Sequence, residues 1–288
     1  MTEKNFNPEK IKALVLDLDG TLLRPDKSLS DRNLRALRSC MEKNIRIILA
    51  TGRAVESGEK YRKQIGTQGP HVYYNGAEVV DVSAGKIIHA QYIDPQPILF
   101  CVQLARQMNH FFQVYFPEGA SGCSHEDGQT LGEVLMADRM TAEAEGYEKS
   151  AGVKIITGDL EDHLNKVNAV IKGMFITAQE NHEKIRSLLK EQFDESIYIV
   201  QSTPIFLEVL AKGVSKGSGL EHALDYLHIK KEHTIAFGDE ENDLPMFKVA
   251  GFSAAPANAK ETVRKAALFQ IPAEAEDGVA VFLEKHFG

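Results

Sequence analysis

Ala13-Leu14-Val15-Leu16-Asp17-Leu18-Asp19-Gly20-Thr21 is the stretch on which the fold turns. Four apolar residues in a row suit a short strand buried on both faces, as in a parallel sheet. The run stops at Asp17 and Asp19, two carboxylates that repel unless something cationic sits between them. A hard divalent cation held by oxygens is the natural remedy, and magnesium needs only one or two carboxylates plus a substrate phosphate. Gly20 then allows a tight turn, and Thr21 can cap the next segment. Taken alone, the segment is equally well an ordinary strand exit decorated with acids.

Working outward, Leu34, Leu37 and Met41 recur at helical spacing behind Ser30, a predicted N-cap. Ile45 to Ala50 predicts a second strand, ending at Thr51-Gly52-Arg53, and Val72-Tyr73-Tyr74 a third, ending at Asn75-Gly76. Strands that end in small or polar residues, with helices between, make the βαβ pattern of an α/β fold: a doubly wound, Rossmann-like parallel sheet. Ligands of such sheets gather outside the carboxyl ends of the strands.

The middle of the chain has a different pattern. Val79-Val80 and Lys86-Ile87-Ile88 predict a hairpin around Ser83-Ala84-Gly85. Helices near residues 97–109 and 180–193 alternate with strands at 112–116, 153–157, 170–177 and 197–200. This predicts an inserted α+β cap over residues 83–203, splitting a core of residues 1–82 and 204–288. In the resumed core, residues 206–210 predict a strand. Residues 216–227 come next as a helix with Leu220, Leu224 and Leu227 on one stripe, then residues 234–237 as a strand ending at Gly238-Asp239.

These strand ends carry the chemistry. Gly238-Asp239-Glu240-Glu241-Asn242-Asp243 brings a second acidic cluster to the predicted ligand edge. A helix N-terminus rich in acids accounts well for Glu240 and Glu241, less well for Asp239 and Asp243. Thr51-Gly52 offers a hydroxyl and backbone N–H groups to an anion, or simply an N-cap. Lys216 opens a helix, where the macrodipole disfavours a cation, and so points to an anionic partner.

In this order the four segments resemble the motifs of the haloacid dehalogenase superfamily. Asp17-Leu18-Asp19-Gly20-Thr21-Leu22 is similar to its first motif, D-x-D-G-T-[LV], and Thr51, Lys216 and residues 238–243 to the second, third and fourth. The long insertion between Thr51 and Lys216 resembles the Cof-type phosphatases (subclass IIB, with a C2B cap). Asn75-Gly76-Ala77 and Glu208 fit that pattern too. Ala255-Pro256-Ala257-Asn258-Ala259 departs from the G-N-A turn of many relatives, and Asp277-Gly278-Val279 matches the closing helix.

The resemblance implies a phosphatase acting on a small phosphorylated metabolite, a sugar phosphate or a related monoester. Asp17 would be the nucleophile and Asp19 the acid and base. Leu18, Thr51, Gly52, Asn75, Lys216 and Asn242 would contact substrate. Mg2+ would be bound by Asp17, by Asp19 through its backbone carbonyl, and by Asp239, with Asp243 beside them. A phosphomutase and a non-catalytic metabolite-binding protein are the alternatives; the intact set of Asp17, Asp19, Thr51, Lys216 and Asp239 argues against the second.

Bulk properties fit this reading. With 288 residues, 43% hydrophobic and 26% charged, the chain can build two cores without staples. A net charge of −8 argues against a nucleic-acid partner, whose binding needs Lys and Arg on many phosphates. Cys40, Cys101 and Cys123 form no C-x-x-C pair, which suits a reducing compartment. The polar start and the lack of a long apolar run predict a cytoplasmic protein, off the membrane, as a monomer or small homo-oligomer. No G-x-G-x-x-G follows the first strand, which sets a dinucleotide oxidoreductase aside. Cys123-Ser124-His125 with Asp127 matches no standard zinc spacing and is expected to be surface loop. Phe111-Phe112 and Tyr115-Phe116 are expected in the cap core.

Overall fold

In the computed structural model, which describes residues 6–117, 133–193 and 196–288, the opening apolar run forms β1 (Ala13–Leu16), buried along its whole length. Next come α1 (Asp31–Glu42), β2 (Arg46–Leu49), α2 (Val55–Ile65), β3 (His71–Tyr73), β4 (Glu78–Asp81) and β5 (Lys86–Ala90). Ser30 caps α1 as predicted, its side chain accepting from the Asn33 N–H. The middle of the chain gives α3 (Pro95–Met108), β6 (Phe111–Pro117), β7 (Glu133–Ala137), α4 (Ala142–Ala151), β8 (Ile156–Thr157) and α5 (Leu160–Leu164). It continues with β9 (Lys172–Ile176), α6 (His182–Phe193), β10 (Ile197–Thr203) and β11 (Phe206–Ala211). The last part holds α7 (Lys216–Leu227), β12 (Thr234–Phe237), α8 (Leu244–Val249), β13 (Phe252–Pro256), α9 (Glu261–Ala266), β14 (Phe269–Ile271) and α10 (Gly278–Phe287). The Cys123-Ser124-His125 cluster lies outside the described residues.

The two ends of the chain share one parallel sheet, in the order β14-β13-β12-β1-β2. Leu16 is level with Phe237 on one side and Leu49 on the other, so Asp17, Gly238-Asp239 and Ala50-Thr51 leave the sheet at the same edge. Leu14, Leu16, Leu49 and Phe237 pack on one face with Leu37 of α1 and Phe282 and Leu283 of α10. Ala13, Val15, Ile48 and Ala236 pack on the other with Leu220 and Leu224 of α7 and Met246 of α8. Each fully buried Leu or Val contributes roughly 1.5–3 kcal/mol over exposure, which explains why β1 carries no polar residue.

Beyond β2 the sheet continues through a single parallel bridge, Ala50 to Val72. Leu49 N–H, on that open side, donates to the His71 side chain at 3.1 Å (Nδ1). β3, β4 and β5 form a small antiparallel sheet, with β4 and β5 paired as the predicted hairpin.

The chain divides into two compact units. One comprises Met1–Ala54, Gly58–Ala90 and Ser215–Gly288; the other comprises Val55–Ser57 and Gln91–Val214. Of the boundaries expected from sequence, residue 83 lies in the turn between β4 and β5, within the first unit, and residue 203 ends β10, within the second. β5 stays with the first unit because it pairs with β4. β11, expected in the core sheet, instead lies antiparallel between β10 and β9 in the second unit. Its apolar run is buried on both faces, and that pattern is the same in a central antiparallel strand as in a parallel one. The second unit's sheet runs β10-β11-β9-β6-β7-β8, all antiparallel except β7 with β8. Phe112, Val114, Phe175, Leu207 and Val209 share one buried face of it, as part of the core expected there. The strand expected at 153–157 shortens to β8.

Candidate active site

Asp17 keeps its backbone in the sheet, donating its N–H to the Phe237 carbonyl at 3.0 Å. The chain then folds back sharply, with the Leu18 carbonyl accepting from Leu22 N–H (3.1 Å) and Leu23 N–H (2.8 Å). The Leu18 side chain is fully buried in the core, which leaves only its backbone for a ligand. Gly20 turns the corner at φ +83°, a conformation that suits glycine. A Cβ there would lie 2.3 Å from Asp239 Oδ2, so a side chain would displace that carboxylate. Thr21 donates to Asp239 Oδ1 at 2.6 Å. Asn258 clamps the turn from outside, donating to the Gly20 carbonyl (2.7 Å) and accepting from the Glu274 N–H (3.1 Å). The Ala255–Ala259 departure thus still delivers its asparagine to the first motif.

Past β12, the Asp243 carboxylate organises its own loop. Its Oδ2 accepts from the N–H of Asp239 (2.8 Å) and of Glu240 (3.0 Å). Lys216 enters from α7, behind the Ser215–Ser218 capping box. Its Nζ bonds Asp17 Oδ1 at 2.6 Å and Asp243 Oδ1 at 2.7 Å, with all three side chains buried. Gly76, at φ +103°, lets the turn after β3 approach this helix start: a Cβ would meet the Ser215 carbonyl oxygen at 2.0 Å.

A second group of polar residues occupies the end of β2. Thr51 is buried; its N–H donates to the Val72 carbonyl (2.9 Å) and its hydroxyl accepts from the Arg53 N–H (3.1 Å). Asn75, in the left-handed region at φ 56°, donates its N–H to the Thr51 carbonyl at 3.0 Å. Its Oδ1 accepts from Asn242 Nδ2 at 2.9 Å, and a Cβ on Gly52 would lie 3.1 Å from its amide. Asn242 Oδ1 is buried with no hydrogen-bond partner among the described residues.

Three buried acids meet around the lysine. Carboxylate oxygens of Asp17, Asp239 and Asp243 lie within 4.8 Å of one another. Burial, and then the charges of Asp243 and Asp19, push Asp17 up to about 7 against the opposing pull of Lys216. Burial, then Asp17 and Asp243, push Asp239 up to about 9. Burial disfavours the charge on Lys216, but Asp17 and Asp243 outweigh it and hold the ammonium above the ordinary lysine range. One lysine does not balance three carboxylates. An all-oxygen cluster with excess negative charge fits a hard divalent cation, magnesium included.

Asp19 is not in that cluster. Arg53 grips both its oxygens, Nε to Oδ2 at 2.7 Å and Nη2 to Oδ1 at 2.8 Å, and Lys27 Nζ lies 2.9 Å from Oδ1. Burial would raise the Asp19 carboxyl, yet Arg53 and Lys27 prevail and hold it down at about 2. Neither cation was singled out from sequence. Arg53 carried a usable signal, a cation just ahead of a helix start, as at Lys216. Lys27 carried none.

Comparison with known proteins gives the family. A family model described as haloacid dehalogenase-like hydrolase matches residues 14–283. The chain is 29% identical to 5-amino-6-(5-phospho-D-ribitylamino)uracil phosphatase YitU of Bacillus subtilis, over 95% of this chain and 97% of that one. It is 25% identical to pyridoxal phosphate phosphatase YbhA of Escherichia coli, over 96% and 98% of the two chains. The crystal structure of a haloacid dehalogenase-like hydrolase from Bacteroides thetaiotaomicron superposes with a TM-score of 0.81 at 26% identity, covering 96% of this chain and 99% of that one. With its motif residues gathered at one sheet edge and a family match along almost its whole length, the chain belongs to the haloacid dehalogenase-like hydrolases, among the Cof-type phosphatases.

Proposed function

We propose that the chain is a magnesium-dependent phosphatase that hydrolyses a small phosphate monoester through a phosphoryl group carried on Asp17. The Lys216 bridge from Asp17 to Asp243, inside a buried acidic cluster, is the observation that supports this most. Held by Asp17, Asp239 and the Asp19 carbonyl, magnesium would offset the charge on the phosphoryl oxygens. Asp243 has both oxygens engaged, so it would orient these ligands from behind.

In the first step an Asp17 oxygen attacks phosphorus in line with the ester oxygen. The ester P–O bond breaks as the new bond forms, and Asp19 gives its proton to the departing alkoxide. In the second, Asp19 takes a proton from water, the water oxygen attacks phosphorus, and Asp17 is freed as inorganic phosphate leaves. Thr51, the Gly52 backbone, Lys216 and Asn242 would hold the phosphoryl oxygens, with Asn75 orienting Asn242. To carry a proton, Asp19 has to be released by Arg53 and Lys27. A phosphoryl group offers the guanidinium the same two-pronged partner and would draw it away.

The substrates for which the two relatives are named, a phosphoribitylamino-uracil and pyridoxal phosphate, support a small phosphorylated metabolite as the substrate class. The test is phosphate release from p-nitrophenyl phosphate. Asp17→Asn should lower it by about a thousandfold or more while the circular dichroism spectrum is kept. Turnover surviving in that variant would remove Asp17 from its role.

A further inference from the structure

Within the first unit, the turn after the first motif carries a cation whose backbone is fixed far more firmly than its side chain. Lys27 stands at φ 63°, a left-handed conformation that costs a residue other than glycine roughly 1–2 kcal/mol. Its turn is tied down on both sides. Lys27 N–H donates to the Arg24 carbonyl at 2.8 Å, and Arg24 N–H donates to the Ser28 carbonyl at 3.0 Å. The Lys27 carbonyl accepts from the hydroxyl of Tyr61, a buried residue of α2, at 3.0 Å. The Arg24 guanidinium grips both oxygens of Asp277 at the start of α10, Nε to Oδ1 at 3.2 Å and Nη2 to Oδ2 at 2.9 Å.

The Lys27 side chain, by contrast, is 47% exposed, and an exposed ion pair adds little to stability. A lysine held in a costly conformation for a weak pair points to a use other than folding. Its contact with Asp19 is also one-sided. Asp19 Oδ1 meets both Arg53 Nη2 and Lys27 Nζ, whereas Oδ2 meets Arg53 Nε alone among the described residues. Arg53 lies over the Tyr61 ring, 5.2 Å from its centroid, so one buried side chain backs both cations. When Arg53 turns to a phosphoryl group, Oδ2 is bared, and Lys27 is the cation left within reach of Oδ1.

We propose that Lys27 is a positioning residue for Asp19, which lets the carboxyl go while Oδ2 holds a proton and takes Oδ1 back as that proton leaves. The inference rests on the phosphatase reading above. In the first step the Oδ2–H bond breaks and its proton passes to the ester oxygen as the P–O bond breaks. The electron pair left on the carboxylate then faces Lys27. In the second step a water O–H bond breaks, Oδ2 takes that proton, and Lys27 withdraws again. A flexible side chain on a fixed backbone suits a contact made and broken in every turnover. Because the contact strengthens only as charge develops on Asp19, it favours the transition state over the bound ester.

The leaving group supplies the test. Phenyl phosphate and p-nitrophenyl phosphate share a ring, but phenolate needs a proton to depart far more than nitrophenolate does. Their kcat/KM values cover only the steps up to that departure, so the attack of water drops out. Lys27→Asn removes the ammonium and keeps a residue that tolerates the left-handed turn. It should lower kcat/KM for phenyl phosphate by about tenfold more than for p-nitrophenyl phosphate, and Lys27→Arg should restore the ratio. Equal losses for the two esters, as a merely structural role would give, or a ratio that Lys27→Arg leaves low, would overturn the proposal while phosphatase activity stands. An unaltered enzyme that hydrolyses p-nitrophenyl phosphate but not phenyl phosphate would overturn it too, since Asp19 would then deliver no proton. If the unaltered enzyme hydrolyses neither ester, the phosphatase reading fails and this inference falls with it.

Discussion

Lys216 heads α7, where the helix dipole disfavours a cation, and that local conflict was readable in the sequence. What the sequence hid was its partner. The structure gives the ammonium two buried carboxylates, Asp17 and Asp243, that lie far away along the chain. Replacing it by Met would leave three buried acids with no cation among them. Lys216→Met should cost about 3–5 kcal/mol in urea unfolding with EDTA present, and magnesium should restore part of that loss. An unfolding midpoint indifferent to the substitution would mean that the cluster is already neutral. Arg53 repeats the lesson, since the stretch Thr51-Gly52-Arg53 displays a hydroxyl and a glycine for an anion, and its guanidinium instead pairs with Asp19. The bidentate grip on Asp19 depends on a turn that brings residue 19 back beside residue 53, and no spacing rule states that.

At the scale of elements, α1 and α7 keep closely to their sequence patterns because each has one unambiguous buried face, while β1, buried on both, is marked by its short apolar run and the acids that end it. β11 did not, because burial on both faces erases the alternation that separates a central antiparallel strand from a parallel one. β3 carries a feature that no pattern displays. His71 lies wholly buried beside Leu49 and accepts its N–H, and burial followed by the Arg62 charge pulls the imidazole down to about 3. The unfolded chain then binds a proton near 6.5 that the folded chain refuses, so stability is full above 6.5 and falls as pH drops towards 3. The effect amounts to a few kcal/mol at most. His71→Asn, which keeps an acceptor for Leu49, should flatten this slope in denaturant midpoints measured from pH 7 to pH 4. A slope identical to that of the unaltered protein would assign the acid sensitivity to other groups.

For the whole molecule, an acidic chain of net charge −8 sets Lys216, Arg53 and Lys27 among the acids of one sheet edge, where a bound divalent cation would supply the remaining positive charge for an anionic substrate. The parallel sheet was legible because its motifs fall at strand ends in a fixed order. The second unit was legible only as a set of elements, since Gln113, Lys172 and Glu208 meet through strand pairing across a long stretch of chain. Among the described residues, no helix is long and apolar enough to cross a membrane. Magnesium should stabilise the folded chain, by about 2.7 kcal/mol at a hundred times its dissociation constant. This gain should grow with pH. Without the ion Asp17 and Asp239 hold protons up to about 7 and about 9, whereas in the unfolded chain they release them near 3.8. Their contribution to metal-free stability is therefore full below 3.8 and lost as pH rises, which is where the ion takes over. Melting temperatures with magnesium and with EDTA, compared at pH 6 and pH 8, check this; a gain that shrinks with pH would contradict it.

The proposed chemistry turns on Asp17 itself carrying the phosphoryl group. Acid quenching during turnover of an aryl phosphate, then mass spectrometry of the intact chain and its peptides, addresses it directly. The chain should become heavier by one phosphoryl group, located on the peptide containing Asp17 and missing from Asp17→Asn. Phosphate released by an enzyme that never carries the added mass, or carries it on another residue, would contradict it.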